Sequence, residues 1–136
     1  MERDKIVRFS IVVHAAPYSS EAAASAFNFT KALLHQGHEI YRLFFFSDGV
    51  HNANRLAILP EDEINLQQQW DNLITVNNLE SVVCITSSIK RGVLNKEEAE
   101  RHNLESNSMY ESSEIGGLGQ LVDAALNSDR VVNFGS

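Results

Sequence analysis

The chain has 136 residues, of which 43% are hydrophobic, and this is the size of one domain with a core that needs no disulfide or metal. Its 18 acidic and 11 basic side chains give a net charge of −7, which argues against direct binding to nucleic acid. The single cysteine excludes an internal disulfide, and the sequence leads us to expect neither a signal-type leader nor a membrane-spanning run. We expect a single domain over residues 1–136, cytoplasmic, without membrane contact.

Two strands and a helix are predicted in the first third of the chain. Residues 6–13 are nearly all apolar and rich in β-branched side chains, which is typical of a strand covered on both faces. A helix capped by Ser19 or Ser20 should follow, with apolar residues at spacings of three and four, and Gly37 should end it. The apolar run over 40–46 predicts the second strand.

The rest of the chain continues this alternation. Asp48 and Gly49 favour a tight turn, and Pro60 followed by three acidic residues predicts the start of a helix that ends at Asn77 and Asn78. The later elements are predicted as a strand over 81–85, helical stretches near 87–91 and 96–102, a loop over 103–113, a helix after Gly116 and Gly117, and a strand over 130–134. We expect the 103–113 loop to be mobile or to order only against a partner.

Strands that alternate with helices predict right-handed crossovers and a mainly parallel sheet of four to five strands, with helices on both faces. The fold class is therefore a three-layer α/β domain. Catalytic groups in such sheets gather beyond the carboxyl ends of the strands. Cys84 stands at such an end, and residues 14–18 and 48–54 should lie along the same rim.

Cys84, the only cysteine, is the candidate reaction centre. The residues alone leave open that it is inert packing, because free cysteines are among the most often buried side chains. A helix N-terminus after Cys84, with Lys90 and Arg91 further on, could stabilise a thiolate there. His14 or His51 could instead act as a base to Cys84 in a cysteine hydrolase.

No spacing predicts a metal or a cofactor, and we expect neither. The five histidines lack the pair four residues apart that a helical zinc site needs. The glycines at 116, 117 and 119 neither follow a predicted strand nor show the full dinucleotide-binding spacing. No phosphate-binding loop rich in Ser or Thr stands out after the first strand, so flavin is left as an alternative only. Asp48 and Asn52 fit turn chemistry better than a ligand site.

Four segments in register resemble one known family, the DsrE-like sulfurtransferases. They cover residues 45–54, 82–84, 91–93 and 117–122, and the resemblance extends over essentially the whole chain after the charged N-terminus. It is nearest to the D subunit of the bacterial tRNA 2-thiouridine sulfur relay. The resemblance implies a flavodoxin-like α/β fold, and it places on Cys84 the family's catalytic cysteine, which carries sulfur as a persulfide.

The resemblance also implies partners. It implies assembly with two related subunits, of B and C type, into a heterohexamer, and transfer of sulfur to a small TusE-like acceptor protein. Because no second cysteine can resolve a persulfide on Cys84, sulfur must arrive from a donor protein and leave to another protein. A subunit of a sulfur-oxidation relay and a non-catalytic interaction subunit of the same fold are the alternatives.

Overall fold

A computed structural model describes residues 5–135, and it confirms the predicted α/β fold with a parallel sheet. The strands are β1 (Arg8–Val13), β2 (Glu39–Phe45), β3 (Ser81–Cys84), β4 (Glu114–Gly116) and β5 (Arg130–Phe134). The helices are α1 (Ala22–His35), α2 (Leu66–Asn77), α3 (Ile85–Ile89), α4 (Lys96–Arg101) and α5 (Leu118–Asn127), with a 3₁₀-helix over Ser47–Ala53. Over these residues, no helix has the length and apolar character that crossing a membrane requires.

The order of strands in the sheet is β4-β3-β2-β1-β5, and every neighbouring pair is parallel. The chain proceeds from β1 to the β4 edge, and α5 then carries it back across the sheet so that β5 pairs with β1. All five carboxyl ends therefore meet at one rim. Cys84 is the last residue of β3 at this rim, beside Gly116 of β4.

Side chains that alternate along the strands divide the core into two clusters. The larger cluster lies on the face that packs against α1 and α2, and it includes Ile11, Phe45, Val83 and Trp70. The smaller cluster lies on the α5 face and consists of Val12, Phe44, Val82 and Cys84, with Phe46 and Leu121 packed against it. This alternation directs the thiol away from the main core and toward α5.

The start of α2 differs from its prediction. The helix begins at Leu66, where the Asn65 side chain accepts a hydrogen bond from the Gln68 amide at 3.0 Å. Pro60 instead belongs to a separate turn, closed by a bond from the Glu63 amide to the Pro60 carbonyl. A side chain that satisfies a free amide fixes the helix start more strongly than a proline and nearby acids.

The segment 103–113 forms a loop, as predicted, and its second half makes hydrogen bonds to the rest of the domain. Ser108 and Met109 are buried, Met109 forms an antiparallel bridge with Asn54, and the Ser108 hydroxyl donates to the Gly92 carbonyl at 2.6 Å. Residues 108 and 109 are therefore attached to the domain by hydrogen bonds, and the mobility of the loop stays a prediction. The sequence also did not predict β4, because three residues are too few to show the alternation of a strand.

Candidate active site around Cys84

Cys84 occupies the joint between a strand and a helix. It ends β3 in extended conformation (φ −63°, ψ 124°), and α3 begins at the next residue, Ile85. The helix therefore starts before the predicted range of 87–91. The Cys84 side chain is 1% exposed and contacts an apolar cluster on one side. The thiol lies at the rim, as predicted, but below the surface.

Hydrogen bonds give this buried thiol an acidic character. Burial raises the pKa of Cys84, but hydrogen bonds from the Thr86 hydroxyl, from the amide and hydroxyl of Ser87 and from the Thr86 amide together hold the pKa below its ordinary value. The Thr86 hydroxyl lies 3.3 Å from the sulfur. Because the folded chain favours the thiolate, this contribution to stability is full above the ordinary thiol pKa. It is lost as the pH falls through the lowered pKa.

Replacing Thr86 with Val tests the nearest of these hydrogen bonds. The two side chains have similar shapes, and Val removes only the hydroxyl that stabilises the thiolate. We expect the pKa of Cys84 to rise and its alkylation at neutral pH to slow by roughly threefold to tenfold. The measurement is the rate of iodoacetamide labelling as a function of pH. Identical pH profiles for wild type and Thr86→Val would show that this hydroxyl leaves the thiol unaffected.

Lys90 and Arg91, the cations predicted to stabilise a Cys84 thiolate, make other polar contacts or none within residues 5–135. The Arg91 guanidinium pairs with the Asp48 carboxylate at 2.9 Å and donates to the Ser87 carbonyl at 3.1 Å. These contacts fasten α3 to the 3₁₀-helix, which replaces the tight turn predicted at Asp48. Lys90 is exposed at the end of α3. Hydrogen bonds, rather than Lys90 or Arg91, are the leading causes of the lowered Cys84 pKa.

The two rim histidines have other contacts. His14 Nε2 lies 3.0 Å from Asn133 Oδ1, and the His14 ring packs edge-on against Phe46 with centroids 5.6 Å apart. His14 thus lies between β1 and β5, where the strand order reverses, and two strands away from β3. His51 lies in the 3₁₀-helix, and its carbonyl accepts a bond from the Gln67 side chain. Within residues 5–135, no histidine hydrogen-bonds to Cys84, and no three His, Cys, Asp or Glu side chains group as a metal site.

The groups that lower the pKa of Cys84 belong to Thr86 and Ser87, whose side chains the sequence did not single out. Thr86 and Ser87 are the second and third residues of α3, and positions just inside a helix face the residue that precedes it. The available signal was a Thr-Ser pair that begins two residues after the cysteine. It was obscured because the helix was predicted to begin at residue 87 rather than 85.

Helix α5 packs against the apolar cluster that contains Cys84, and one buried arginine holds the helix there. Leu121 of α5 packs against the cluster that contains Cys84. Arg42 of β2 is 6% exposed and donates to the Asp123 carboxylate at 3.0 Å and to the Gln120 carbonyl at 2.6 Å. It also donates to Glu80 at 2.7 Å. The cover over Cys84 is therefore fixed to the sheet by polar contacts as well as by packing.

Replacing Arg42 with Met tests this cover. Met fills most of the buried volume but makes none of the bonds to α5, so local opening of α5 becomes less costly. We expect Cys84 to be alkylated roughly threefold to tenfold faster, with the pH midpoint unchanged. Labelling kinetics measured on the folded protein check this. A labelling rate equal to that of wild type would contradict the assignment of α5 as the cover.

Comparison with known proteins places the chain among sulfurtransferases. The model of the DsrE/DsrF-like family matches residues 7–134. A relative named sulfurtransferase TusD homolog, from Pseudomonas aeruginosa, is 44% identical over 95% of this chain and 98% of its own length. DsrE of Allochromatium vinosum is 39% identical over 95% of this chain and 99% of its own length.

A solved structure supports the same assignment. The crystal structure of the YchN protein from E. coli is similar to this fold, with a TM-score of 0.73 and 26% sequence identity. The similarity covers 95% of this chain and 100% of that one. This chain therefore matches its relatives in fold, length and sequence from β1 to β5. The chain belongs to the DsrE/DsrF-like family.

Proposed function

We propose that this protein is a sulfur carrier in which Cys84 accepts sulfane sulfur as a persulfide and passes it to an acceptor protein. The observation that carries the proposal is the position of the only cysteine. It lies at the carboxyl rim of the sheet with hydrogen bonds that favour its thiolate. Relatives at 36–44% identity over most of the chain are named sulfurtransferases, which supports a sulfurtransferase role.

The transfer needs no external oxidant. The Cys84 thiolate attacks the outer sulfur of a donor persulfide, a new sulfur–sulfur bond forms, and the donor's own bond breaks. The electron pair of that bond leaves with the donor, which becomes a thiolate and takes up a proton from solvent. An acceptor thiolate then attacks the outer sulfur on Cys84, and Cys84 leaves as a thiolate. A lowered thiol pKa helps both steps, because Cys84 is first the attacking group and later the leaving group.

The surroundings of Cys84 favour a carrier over a hydrolase. A cysteine hydrolase needs a base in contact with the nucleophile, and neither His14 nor His51 hydrogen-bonds to Cys84 within residues 5–135. Two cavities, of about 430 and 600 Å³, lie around Asn107 and Tyr110, and Cys84 lines neither of them. Cys84 therefore does not face either cavity, as the nucleophile for a small-molecule substrate would. This favours a sulfur atom delivered by another protein.

The proposed relay requires a sulfur donor and a sulfur acceptor, both of them proteins. An upstream protein persulfide would load Cys84, and a small TusE-like protein would accept the sulfur. We propose related B- and C-type subunits as the other members of a heterohexamer, and formation of 2-thiouridine at tRNA wobble positions as the end point. The net charge of −7 supports a role that does not require contact with tRNA itself.

A second candidate is the relay of sulfur oxidation. The identity to DsrE, 39%, is close to the 36–44% shared with proteins named TusD homologs. Both relays would use the same thiol chemistry. A third candidate, a non-catalytic interaction subunit, has the same fold, and the position of Cys84 at the rim with a hydrogen bond to its sulfur argues against it.

The test of the proposal is sulfur loading. The reduced protein is incubated with a protein persulfide donor, alone and with its B- and C-type partners, and its intact mass is measured. We expect the mass of one added sulfur atom, removed by dithiothreitol and located on the peptide that contains Cys84. Absence of any added sulfur under both conditions would reject the carrier and favour the interaction subunit. Genomic proximity to B- and C-type genes, without genes for dissimilatory sulfite reductase, would favour tRNA thiolation.

A further inference from the structure

Two loops, one after the 3₁₀-helix and one after α4, pair briefly and then separate. Asn54 forms an antiparallel bridge with Met109, and the Arg55 amide donates to the Ser108 carbonyl at 2.8 Å. Further from the bridge the backbone pairing ends: the amides of residues 57–59 and 105–107 donate to no group within residues 5–135. The two arms, residues 56–59 and 103–107, therefore stand apart where an antiparallel pairing would otherwise continue.

A groove of about 580 Å³ lies along these arms. Leu56 lines it from one arm and Leu104 from the other, and these side chains are 52% and 51% exposed. Leu94, which is buried, lines the groove as well. Apolar side chains that face water on two walls of a groove are stabilised when an apolar group from a partner fills the space between them.

The backbone of the arms selects the shape of the occupant. An extended chain that enters between two unpaired backbone edges forms hydrogen bonds with both, as in strand addition to a sheet. A helix cannot do this, because its backbone groups are already bonded to one another. The groove is therefore suited to an extended peptide segment whose large apolar side chain packs between Leu56 and Leu104.

The charge of the groove selects the composition of that segment. Among the described residues, Glu105 is the single charged side chain that lines the groove, and it makes no ion pair within residues 5–135. The arm that contains Leu56 leads into three exposed acidic residues, at positions 61–63, and the whole chain has a net charge of −7. A lysine or arginine beside the apolar side chain complements this surface.

The groove is close to the reactive thiol along the chain. Gly92, which follows α3, lines the groove, and its carbonyl accepts a bond from the Ser108 hydroxyl at 2.6 Å. Helix α3 begins directly after Cys84 and has five residues, so Cys84 and Gly92 are less than about 25 Å apart. About eight extended residues span that distance. A protein seated in the groove can therefore present its own cysteine to Cys84.

We propose that this groove seats an extended segment of the sulfur acceptor, with a large apolar side chain next to a lysine or arginine. The proposal rests on the proposed sulfur-carrier function and adds the surface that recognises the protein to which sulfur is delivered. Of the two proteins that meet Cys84, the acceptor is the one that leads toward tRNA. A protein that works beside a polyanion gains from basic side chains, which match the acidic groove.

The test measures the rate of sulfur transfer from the loaded protein against the concentration of the acceptor protein, in wild type, Leu104→Ser and Glu105→Lys. We expect the half-saturating concentration to rise about fivefold or more in each variant, with the maximal rate retained, because docking is weakened and the chemistry is not. Added salt should reduce the difference between Glu105→Lys and wild type. Val76→Ser is the matched control, because Val76 is 82% exposed on α2 and does not line the groove.

Photocrosslinking identifies the occupant. Benzoylphenylalanine in place of Leu104 should link to one segment of the acceptor that contains an apolar residue beside a lysine or arginine. The same group in place of Val76 should give no such link. Crosslinks from position 104 to the sulfur donor or to a B- or C-type subunit, with none to the acceptor, would overturn the proposal.

The kinetic results can overturn it as well. Wild-type half-saturation in both groove variants, an equal rise in Val76→Ser, or slow loading from the donor with normal transfer to the acceptor would each do so. Circular dichroism and the rate of Cys84 alkylation check that the variants keep the fold and the thiol of wild type. Glu105→Lys alters only an exposed side chain, and it serves if Leu104→Ser does not fold.

Binding of the unloaded protein to the acceptor, measured by calorimetry, separates this proposal from the carrier function. Weaker binding by both groove variants, in a protein that takes up no sulfur, would support the docking surface and reject the carrier. Normal sulfur transfer, with unchanged binding in both groove variants, would retain the carrier and reject the docking surface.

Discussion

Replacing Cys84 with Ser should abolish sulfur acceptance while the domain still folds. A hydroxyl cannot form a persulfide, and the chain has no other cysteine to substitute for it. We expect sulfur loading to fall by at least about 100-fold, to the background of the assay. Intact mass after incubation with a persulfide donor measures this, in the same reaction as wild type.

The fold of this variant needs its own measurement. Cys84 is 1% exposed and packs against Val82 and Phe44, so a polar serine there costs stability, on the order of 1–2 kcal/mol. The Thr86 hydroxyl, which now lies 3.3 Å from the sulfur, can offer the new hydroxyl a partner. Far-ultraviolet circular dichroism with urea unfolding separates loss of chemistry from loss of fold. Sulfur uptake by folded Cys84→Ser would contradict the assignment of the carrier residue.

Replacing Trp70 with Ala should give the largest loss of stability. Trp70 is 1% exposed and packs edge-on against Phe27 and Phe45, with ring centroids 5.2 and 5.3 Å away. It joins α2 to both α1 and the sheet. Removal of a fully buried large aromatic side chain costs about 3–5 kcal/mol, a large share of the stability of a domain of this size.

Trp70→Phe is the matched control for this variant. The indole nitrogen of Trp70 has no hydrogen-bond partner within residues 5–135, so Phe loses volume but no hydrogen bond. We expect about 1–2 kcal/mol of destabilisation for Phe. Urea unfolding followed by circular dichroism is the suitable measurement, because Trp70 is the only tryptophan and its fluorescence disappears in both variants. Equal unfolding midpoints for Trp70→Ala and wild type would contradict its place in the core.

Strands β1 and β3 were predictable because they are buried on both faces. The mostly apolar runs at residues 8–13 and 81–84 predict parallel strands without any knowledge of their neighbours, and the second run placed Cys84 at a carboxyl end. Strand β4 has three residues and depends on pairing with β3, so its own sequence carries little signal. The start of α2 was missed because the proline signal at Pro60 competed with the capping side chain of Asn65.

The chemistry around Cys84 was less predictable than its position. Ser47 and Ser87 are joined by a contact between distant parts of the chain, and only the three-dimensional pairing of the 3₁₀-helix with α3 reveals it. Arg91 was a reasonable candidate by sequence distance from Cys84. Its pairing with Asp48 depends on the same tertiary contact and directs its charge elsewhere. Sequence patterns report periodicity and local propensity, whereas a hydrogen-bond partner across the rim is set by packing.

Transfer of labelled sulfur through Cys84 tests the central claim most directly. The protein is loaded from a persulfide donor that carries a heavy sulfur isotope, freed of donor, and mixed with the TusE-like acceptor in the presence of its B- and C-type partners. Mass spectrometry then follows the label on both proteins. We predict that the label leaves the Cys84 peptide and appears on the acceptor's cysteine in equal amount. Label that never enters Cys84, with or without the partner subunits, would contradict the sulfur-carrier function.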